Sequence, residues 1–390
     1  MKNKNIDLIL LISVIAISIF GIIMIYSSSN IWAEYKFNDA FKYLKMQGLF
    51  LIVGIVLMII ISKIPYKYYL DKANIILVIC FVLLILVLIP GIGKIRNGSR
   101  SWFGVGGLGI QPSEFMKLAL IIFISKYLHK NERNNISIKK DILPILFITL
   151  LTFGLIMLQP DFGTGVIIVM SIIGILFISG LKMRFFIIAG LFGAVGAVVL
   201  ILIAPYRFER ILSFINPWVD PLGTGFQAIQ SLFAIGPGGL LGLGLGNSIQ
   251  KHFYLPEPQT DFIFAIISEE LGFLGVLIVS ALFLTIIYRG MKISLNAKDL
   301  FSKYLSFGIT FSLAFQALLN LMVVVSLIPI TGVTLPFLSY GGSSLLITLC
   351  SMGILLNISR YQKWLTNKCL SSILNMVVVV VWIKFMHVLI

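Results

Sequence analysis

The sequence predicts an all-α polytopic membrane protein. Of its 390 residues, 59% are hydrophobic, and apolar runs such as ILLISVIAISIFGIIMIY recur along the whole chain. These runs are continuous, whereas the strands of a membrane β-barrel alternate apolar and polar residues over short segments. Because lipid offers the backbone no hydrogen-bonding partner, continuous apolar runs of about twenty residues cross a membrane as helices.

Ten spans and a hydrophobic tail are expected. The first apolar run is too long for a signal peptide and no small-residue cleavage site follows it, so it is expected to remain as the first span. The ten spans are placed near 7–26, 47–62, 73–91, 113–129, 142–159, 162–181, 185–204, 261–288, 304–328 and 339–358. Residues 1–368 form the predicted membrane domain, and residues 369–390 form an atypical apolar tail that is expected to be a peripheral eleventh helix.

The basic residues predict the orientation. With the N-terminus in the cytoplasm, most of the 30 lysines and arginines fall in cytoplasmic segments, and most of the 15 acids lie outside or near the outer ends of spans. The positive-inside rule favours this topology. The net charge of +15 is then a cytoplasmic feature that suits anionic lipid headgroups, and it does not indicate nucleic-acid binding.

Three spans that enter from the predicted outer side begin alike. Their sequences are Gln111-Pro112-Ser113-Glu114, Gln159-Pro160-Asp161-Phe162 and Gln259-Thr260-Asp261-Phe262. A carboxylate in the first turn of a helix stabilises the helix by its interaction with the positive end of the helix dipole, and this alone would explain any one of the three acids. Three acids on the same side favour a shared site at that end.

Two further acids, Glu269 and Glu270, lie deeper in the eighth span. Ionisable groups at membrane depth are costly, so they are usually functional. Adjacent residues on a helix point about 100° apart, so both glutamates are not expected to face one partner, and one of them could pair with a basic residue.

Two outer loops are unusually rich in functional residue types. The loop 93–114 combines Arg96, Arg100 and Trp102 with several glycines. The polar connection 205–260, between the seventh and eighth spans, is too long to be structureless in a compact protein. Its stretch FQAIQSLFAI predicts a short interfacial helix or a re-entrant segment. No Gly-Lys-Ser/Thr follows the glycines between Gly236 and Gly246, so they predict tight turns and no nucleotide site.

Other catalytic templates are missing from the sequence. The three cysteines have no paired spacing, the three histidines are scattered, and no G-x-S-x-G motif is present. The stretch Ser339 to Ser344 is interpreted as the polar entrance of the tenth span. Carboxylate chemistry beside fixed cations is what remains.

Five motifs then resemble one known family. GSRSWFGVGGLGIQPSEFMKL, LQPDFGTG, FINPWVDPLGTGFQAIQS, PEPQTDFIFAIISEELGF and TGVTLPFLSYGGSS, in this order, resemble the SEDS family of peptidoglycan polymerases, which comprises FtsW, RodA and SpoVE. The resemblance spans roughly residues 5 to 363 and is nearest to the division and sporulation members. It implies a bundle of ten membrane helices, lipid II as substrate and Asp261 as the catalytic residue.

The chemistry that the resemblance implies needs a base where sugar meets lipid. The 4-hydroxyl of an acceptor GlcNAc attacks the anomeric carbon of a MurNAc, with inversion, and a polyprenyl diphosphate leaves. The leaving group needs positive charge, from a divalent cation such as Mg²⁺ or Mn²⁺ or from Arg and Lys, and no nucleotide is expected. The predicted substrate-binding residues are Arg100, Trp102, Glu114, Lys117, Asp161, Arg207, Arg210 and Glu270. Lys117 follows Glu114 by three residues, so the two are expected to pair on one helix face. For the cations and for Trp102, anchoring at the membrane interface is an equally good explanation.

The resemblance implies two partners, a class B penicillin-binding protein and the wall-synthesis machinery of division or sporulation. It places the contact with the penicillin-binding protein on the eighth and ninth spans and the long loop. Gly275, Ser280 and Ala281 are expected to face lipid there and to allow close helix approach. A flippase for lipid-linked precursors and a non-catalytic scaffold are the alternatives. A flippase is expected to place its key charges near the midplane, where Glu269 and Glu270 lie, and a polymerase near the outer end, where Asp161 and Asp261 lie.

Overall fold

The computed structural model describes residues 5–96, 98–104, 109–130, 141–203 and 205–362. The described chain is predominantly helical, as predicted, and one short β-hairpin of strands β1 and β2 adds to the helices. The helices are α1 (Leu8–Phe37), α2 (Lys42–Lys63), α3 (Lys67–Leu86), α4 (Pro112–Lys130), α5 (Leu143–Met157), α6 (Phe162–Ile178), α7 (Met183–Ile203), α8 (Pro205–Ile215), α9 (Phe226–Ile235), α10 (Ile263–Leu295), α11 (Leu300–Val324) and α12 (Gly342–Ser359). The predicted eleventh helix at 369–390 lies outside the described residues.

Several helices have the length and composition of membrane spans. Among the described residues, 6 helices, namely α1, α2, α3, α10, α11 and α12, are long and apolar enough to cross a membrane. Shorter apolar segments occur in α5, α6 and the first part of α7. Helix α4 carries Glu114, Lys117, Lys126 and Lys130, and these charges lower its hydropathy. The prediction of a helical membrane protein is therefore confirmed at this level.

Helix α1 extends well beyond the predicted end at residue 26. The polar run Ser27-Ser28-Ser29 follows that predicted end, but the hydroxyl of Ser29 donates to the carbonyl of Ile25 at 2.6 Å, so its hydrogen bond is made within the helix. The hydroxyl of Ser27 donates to Glu270 at 2.5 Å. The serines therefore continue the helix and one of them joins it to α10.

The two outer loops are structured. Strands β1 (Lys94–Arg96) and β2 (Ser99–Trp102) pair as an antiparallel hairpin. The long connection contains α8 and α9, and α9 coincides with the stretch FQAIQSLFAI, so the short helix predicted there is confirmed. Gly239, Gly242, Gly244 and Gly246 all have positive φ, as expected for the tight turns predicted in that segment.

Helix α10 is broken at Gly272, where φ is 60° and ψ is −155°. The glycine-rich segment docks against the break: the N–H groups of Leu243 and Gly244 donate to the carbonyls of Glu269 and Glu270, each at 2.9 Å. The N–H of Phe273 donates in turn to the carbonyl of Gly239 at 2.9 Å. The segment thus replaces the helix hydrogen bonds that the break removes.

The face of α10 that packs inside the protein differs from the prediction. Gly275 and Ser280 are buried, whereas Ala281 is exposed. The buried face packs against α1 and α11, and the exposed face carries Leu274, Leu277 and Ile278. The prediction that Gly275 and Ser280 face lipid was therefore wrong, because the small residues serve packing within the chain.

The end of the bundle opposite Asp261 is closed by polar side chains. Arg289 of α10 forms an ion pair with Asp7, the N-cap of α1, at 2.5 Å. Asn357 of α12 accepts from the N–H of Tyr66 at 2.9 Å and donates to the carbonyl of Ser62 at 2.8 Å. The hydroxyl of Tyr66 donates to Asp299, the N-cap of α11. These contacts join α1 to α10, and they join α12 and the start of α11 to the junction of α2 and α3.

Candidate active site

Asp261 lies in the turn that precedes α10, at the end of the bundle where α6 and α12 begin. The N-cap of α10 is Phe262, which makes no side-chain capping bond, so Asp261 is not used as a helix cap. Among the described residues, none donates a hydrogen bond to its carboxylate. The residue is half-buried, and Gly332, in the connection between α11 and α12, lies beside its carboxylate.

Asp161 takes a different position at the start of α6. It is the N-cap of that helix, and its carboxylate accepts from the N–H of Thr164 at 3.2 Å. Its other oxygen accepts from the side-chain amide of Gln111 at 2.9 Å. Gln111 is in turn tied to α12, because its N–H donates to the hydroxyl of Ser343 at 3.1 Å. The carboxylate of Asp161 is therefore held on both sides.

Glu114 and Lys117 form the pair predicted from their spacing in α4. Their charged groups are 2.9 Å apart, and both side chains are buried. The ammonium of Lys117 also donates to the amide oxygen of Gln316 at 2.7 Å, and Gln316 donates to the carbonyl of Thr334 at 3.0 Å. This network links α4 and α11 to the connection that passes Asp261.

A cavity lies between α4, α11 and α12 beside this network. Its polar lining consists of Lys117, Ser312, Gln316, Thr348 and Ser351. The hydroxyl of Ser312 is buried and has no hydrogen-bonding partner among the described residues. The rest of the lining is mostly apolar, so the cavity combines one buried cation with hydrocarbon surface.

The three predicted acids interact electrostatically. The pKa of Asp261 is raised to about 6, chiefly by burial; the negative charges of Glu257 and Asp161 also raise it, and the positive charge of Arg210 lowers it. Burial likewise raises the pKa of Asp161, and the charge of Glu114 adds to the effect, although the hydrogen bonds from Thr164 and Gln111 oppose it. The structure thus places Glu114, Asp161 and Asp261 in one electrostatic group.

The predicted cations are spread around this group. Arg210, on the exposed surface of α8, donates to the carbonyl of Ile330 at 3.1 Å and acts on the charge of Asp261. Arg100 is half-buried on β2, with one guanidinium nitrogen 3.5 Å from the carbonyl of Leu88. Trp102 lies on the same strand beneath the guanidinium of Arg96, 5.2 Å from its ring centre. The side chain of Arg207 lies outside the described part of the structure.

Glu269 and Glu270 are placed apart from this group. Glu269 accepts from the N–H of Ile249 at 2.8 Å and from the hydroxyl of Ser248 at 2.5 Å. Glu270 is fully buried and pairs with Lys251 at 3.3 Å. The expectation that the two glutamates would not share a partner was wrong. Both accept hydrogen bonds from the segment 248–251, because its donors are spread over several residues and reach both side chains. The pairing of one glutamate with a basic residue is confirmed.

Several polar residues that hold the site are not evident as site residues in the sequence. Gln47 of α2 and Asn320 of α11 are buried amides inside apolar helices, and Gln111 and Ser339 lie in motifs interpreted only as helix starts. A side-chain amide inside a predicted span itself indicates a structural or functional role, since burying such a group without a hydrogen-bonding partner is energetically costly. Their partners were not evident because they lie far away in sequence.

The described residues do not form a metal site. No group of three or more His, Cys, Asp or Glu side chains among them converges closely enough to hold a metal ion. The acids near Asp261 are used instead in a helix cap, an ion pair and mutual electrostatic repulsion. We therefore derive no step through a metal held by these residues.

Comparison with known proteins identifies the family. The profile of the family described as "Cell cycle protein" (FtsW/RodA/SpoVE) matches residues 7–364. Stage V sporulation protein E of Bacillus subtilis is 51% identical, over 93% of this chain and 99% of its own length. A probable peptidoglycan glycosyltransferase FtsW of Geobacter metallireducens is 40% identical, over 92% of this chain and 95% of its own.

Two solved structures share the fold. One is a chain from work on the structural coordination of polymerization and crosslinking by a peptidoglycan synthase complex, with a TM-score of 0.75, 32% identity and coverage of 92% of this chain and 99% of that one. The other is the rod shape determining protein RodA of Thermus thermophilus, with a TM-score of 0.67, 28% identity and coverage of 92% and 98%. With its five motifs, its helical fold and these relatives, the chain belongs to the FtsW/RodA/SpoVE family.

Proposed function

We propose that this protein is a peptidoglycan glycosyltransferase that polymerises lipid II into glycan strands on the outer face of the cytoplasmic membrane, with Asp261 as general base. The proposal rests on the exposure and the hydrogen bonding of Asp261. Glu114 is paired and Asp161 caps a helix, whereas Asp261 is a half-buried residue whose carboxylate receives no hydrogen bond from the described residues. A pKa of about 6 leaves it mostly ionised at neutral pH and basic enough to take a proton.

The reaction then follows from this placement. The 4-hydroxyl oxygen of the acceptor sugar forms a bond to the anomeric carbon of the donor, and the bond from that carbon to the diphosphate oxygen breaks. The hydroxyl proton passes to Asp261, and the electron pair leaves on the polyprenyl diphosphate. We assign stabilisation of that diphosphate to the predicted cations Arg100, Lys117, Arg207 and Arg210. Of these, the charge of Arg210 lowers the pKa of Asp261, and Lys117 lines the cavity between α4, α11 and α12.

Ten spans complete the proposal. We assign them to α1–α7 and α10–α12, with the N-terminus in the cytoplasm, because the end with Arg289 and Tyr66 then lies inside and the end with Asp261 outside. The distribution of lysine and arginine supports this orientation. A flippase is less well supported, since the deep acids Glu269 and Glu270 are bound to the segment 248–251 and are not free to carry a substrate through the membrane.

The test of the function is polymerisation by the purified full chain. We expect labelled lipid II to be converted into glycan chains, and Asp261→Asn to lower the rate at least about a hundredfold while expression and folding persist. Since Asp261 caps no helix, the substitution removes the base and no structural bond. Near-normal polymerisation by Asp261→Asn would remove Asp261 from this role. Lipid II scrambling in vesicles by the wild type, without polymerisation, would favour the flippase.

The partner belongs to the same proposal. The chain from the peptidoglycan synthase complex shares this fold, and we propose that this protein likewise works with a class B penicillin-binding protein, in division or sporulation wall synthesis. The exposed apolar face of α10, with Leu274, Leu277, Ile278 and Ala281, is the surface for its single membrane helix. A photocrosslinker at Ile278 is expected to capture such a protein in cells, and one at Ile79 on the exposed face of α3 is the control. Capture at both positions alike would contradict this surface.

A further inference from the structure

The turn that carries Asp261 is held by three consecutive carbonyls. The carbonyl of Gln259 accepts from the N–H of Tyr340 at 2.8 Å, that of Thr260 from the hydroxyl of Ser339 at 2.6 Å, and that of Asp261 from the amide of Asn320 at 2.7 Å. All three donors lie on α11 or on the connection between α11 and α12.

The donors are themselves anchored. The side-chain amide of Asn320 donates a second bond to the carbonyl of Val333 at 2.8 Å, so one side chain clamps the Asp261 turn to the connection. The hydroxyl of Ser339 accepts from the N–H of Leu335 at 2.8 Å. Gln47 of α2 donates to the carbonyl of Ser339 at 3.3 Å and accepts from the N–H of Gly341 at 3.2 Å.

The simplest role of these three hydrogen bonds is to satisfy the carbonyls of residues 259–261. These residues lie outside regular secondary structure, so their carbonyls need donors from other parts of the chain. Two features point further. The bonds fall on the backbone beside the one carboxylate of the site that has no hydrogen bond of its own among the described residues, so its position depends on the backbone. The side-chain oxygen of Asn320 is buried and has no hydrogen-bonding partner among the described residues, which costs stability. The Asn320 side chain therefore contributes only through the two hydrogen bonds that its NH₂ group donates.

We propose that Asn320 and Ser339 are positioning residues for Asp261: with the N–H of Tyr340, they hold the backbone of residues 259–261 and so fix where the carboxylate meets the acceptor hydroxyl. The inference rests on the proposed function of Asp261 as the base. A displacement of about 1 Å at a reacting group can lower a rate about a hundredfold, so loosening this turn affects turnover more than substrate binding.

The experiment compares the full-length variants Asn320→Ala and Ser339→Ala with two matched controls. Asn357→Ala removes a buried asparagine that likewise joins two backbone segments, at the other end of the bundle. Ser171→Ala removes a fully buried hydroxyl that bonds within α6. With lipid II and equal amounts of folded protein, we expect kcat to fall at least about tenfold in the two site variants, with KM within about threefold, and kcat to persist in the controls. Ser339→Thr, which keeps the hydroxyl, is expected to recover most of the loss.

Hydrogen–deuterium exchange of the segment 255–262 tests positioning without turnover. We expect exchange to become faster in Asn320→Ala and Ser339→Ala and to stay unchanged in Asn357→Ala. Wild-type kcat in both site variants would overturn the inference, as would lowered kcat with unchanged exchange. A wild-type protein that does not polymerise lipid II would count against the proposed function, and the exchange data would still decide whether these residues hold the turn.

Discussion

Asp161 and Asp261 precede α6 and α10, which both pack against α11; burial raises the pKa of Asp261 most, and the negative charge of Asp161 raises it further. Two like charges at one site make ionisation of either costlier, and burial acts in the same direction. Together these effects raise the pKa of Asp261 to about 6, so the carboxylate is mostly ionised at neutral pH.

The pH dependence of polymerisation is expected to follow the raised pKa of Asp261. The base acts in its ionised form, so kcat/KM is expected to rise with pH through about 6 and to level off above it. In Asp161→Asn one source of repulsion is lost, so the midpoint is expected to move to lower pH. The measurement is the initial rate of glycan formation from acidic to neutral pH. A midpoint that stays in place in Asp161→Asn would show that the two charges do not interact.

The buried pair of Lys251 and Glu270 is expected to support stability more than turnover. Removing one partner of a buried pair leaves an uncompensated charge and costs about 3 to 5 kcal/mol. Lys251→Met is therefore expected to lower the thermal unfolding midpoint clearly, and Glu270→Gln to lower it too, while the folded fraction of each polymerises lipid II. Lost turnover at wild-type stability in Glu270→Gln would instead support the predicted role of Glu270 in substrate binding.

Gly272 is expected to tolerate no side chain. Its φ and ψ belong to a region that only glycine adopts readily, and a Cβ there would lie 2.4 Å from the backbone nitrogen of Gly242. Gly272→Ala should lower the unfolding midpoint strongly. Gly154, within α5, has no atom within 4 Å of an added Cβ, so Gly154→Ala is the matched control and should be neutral or slightly stabilising. Equal midpoints for the two variants would mean that the break in α10 is not required.

A divalent cation remains a prediction for the reaction. Because no three candidate ligands converge among the described residues, any Mg²⁺ or Mn²⁺ is expected to arrive with the diphosphate of the substrate. EDTA should then slow polymerisation and added Mg²⁺ or Mn²⁺ restore it, without a change in the unfolding midpoint of the protein alone. A midpoint that falls with EDTA would reveal a metal bound to the protein itself.

The apolar tail is expected to be dispensable. A chain that ends at residue 368 should polymerise lipid II at the wild-type rate, because the site is built from residues before it. The rate of the purified truncated protein, compared with the full chain in the same detergent, is the measurement. Loss of activity in a truncated protein that is still folded would overturn this.

Local patterns in the sequence predicted what local physics determines. The helix at FQAIQSLFAI and the Glu114–Lys117 pair depend on neighbours three or four residues apart, and both are present. The hairpin at 94–102 and the break at Gly272 were not predicted, because a lone glycine inside an apolar run does not reveal the segment that docks against it. The bonds from Asn320 and Ser339 join residues 59 and 79 positions apart, which no periodicity records.

The order in which the chain is synthesised determines when the hydrogen bonds that hold the Asp261 turn can form. Asn320 of α11, and Ser339 and Tyr340 of the connection to α12, are all made after Asp261. A growing chain that has inserted α10 alone therefore carries the carboxylate without the donors that orient it. Assembly of the last two helices is the step that completes the enzyme, so unfinished chains left in the membrane are expected to be inert.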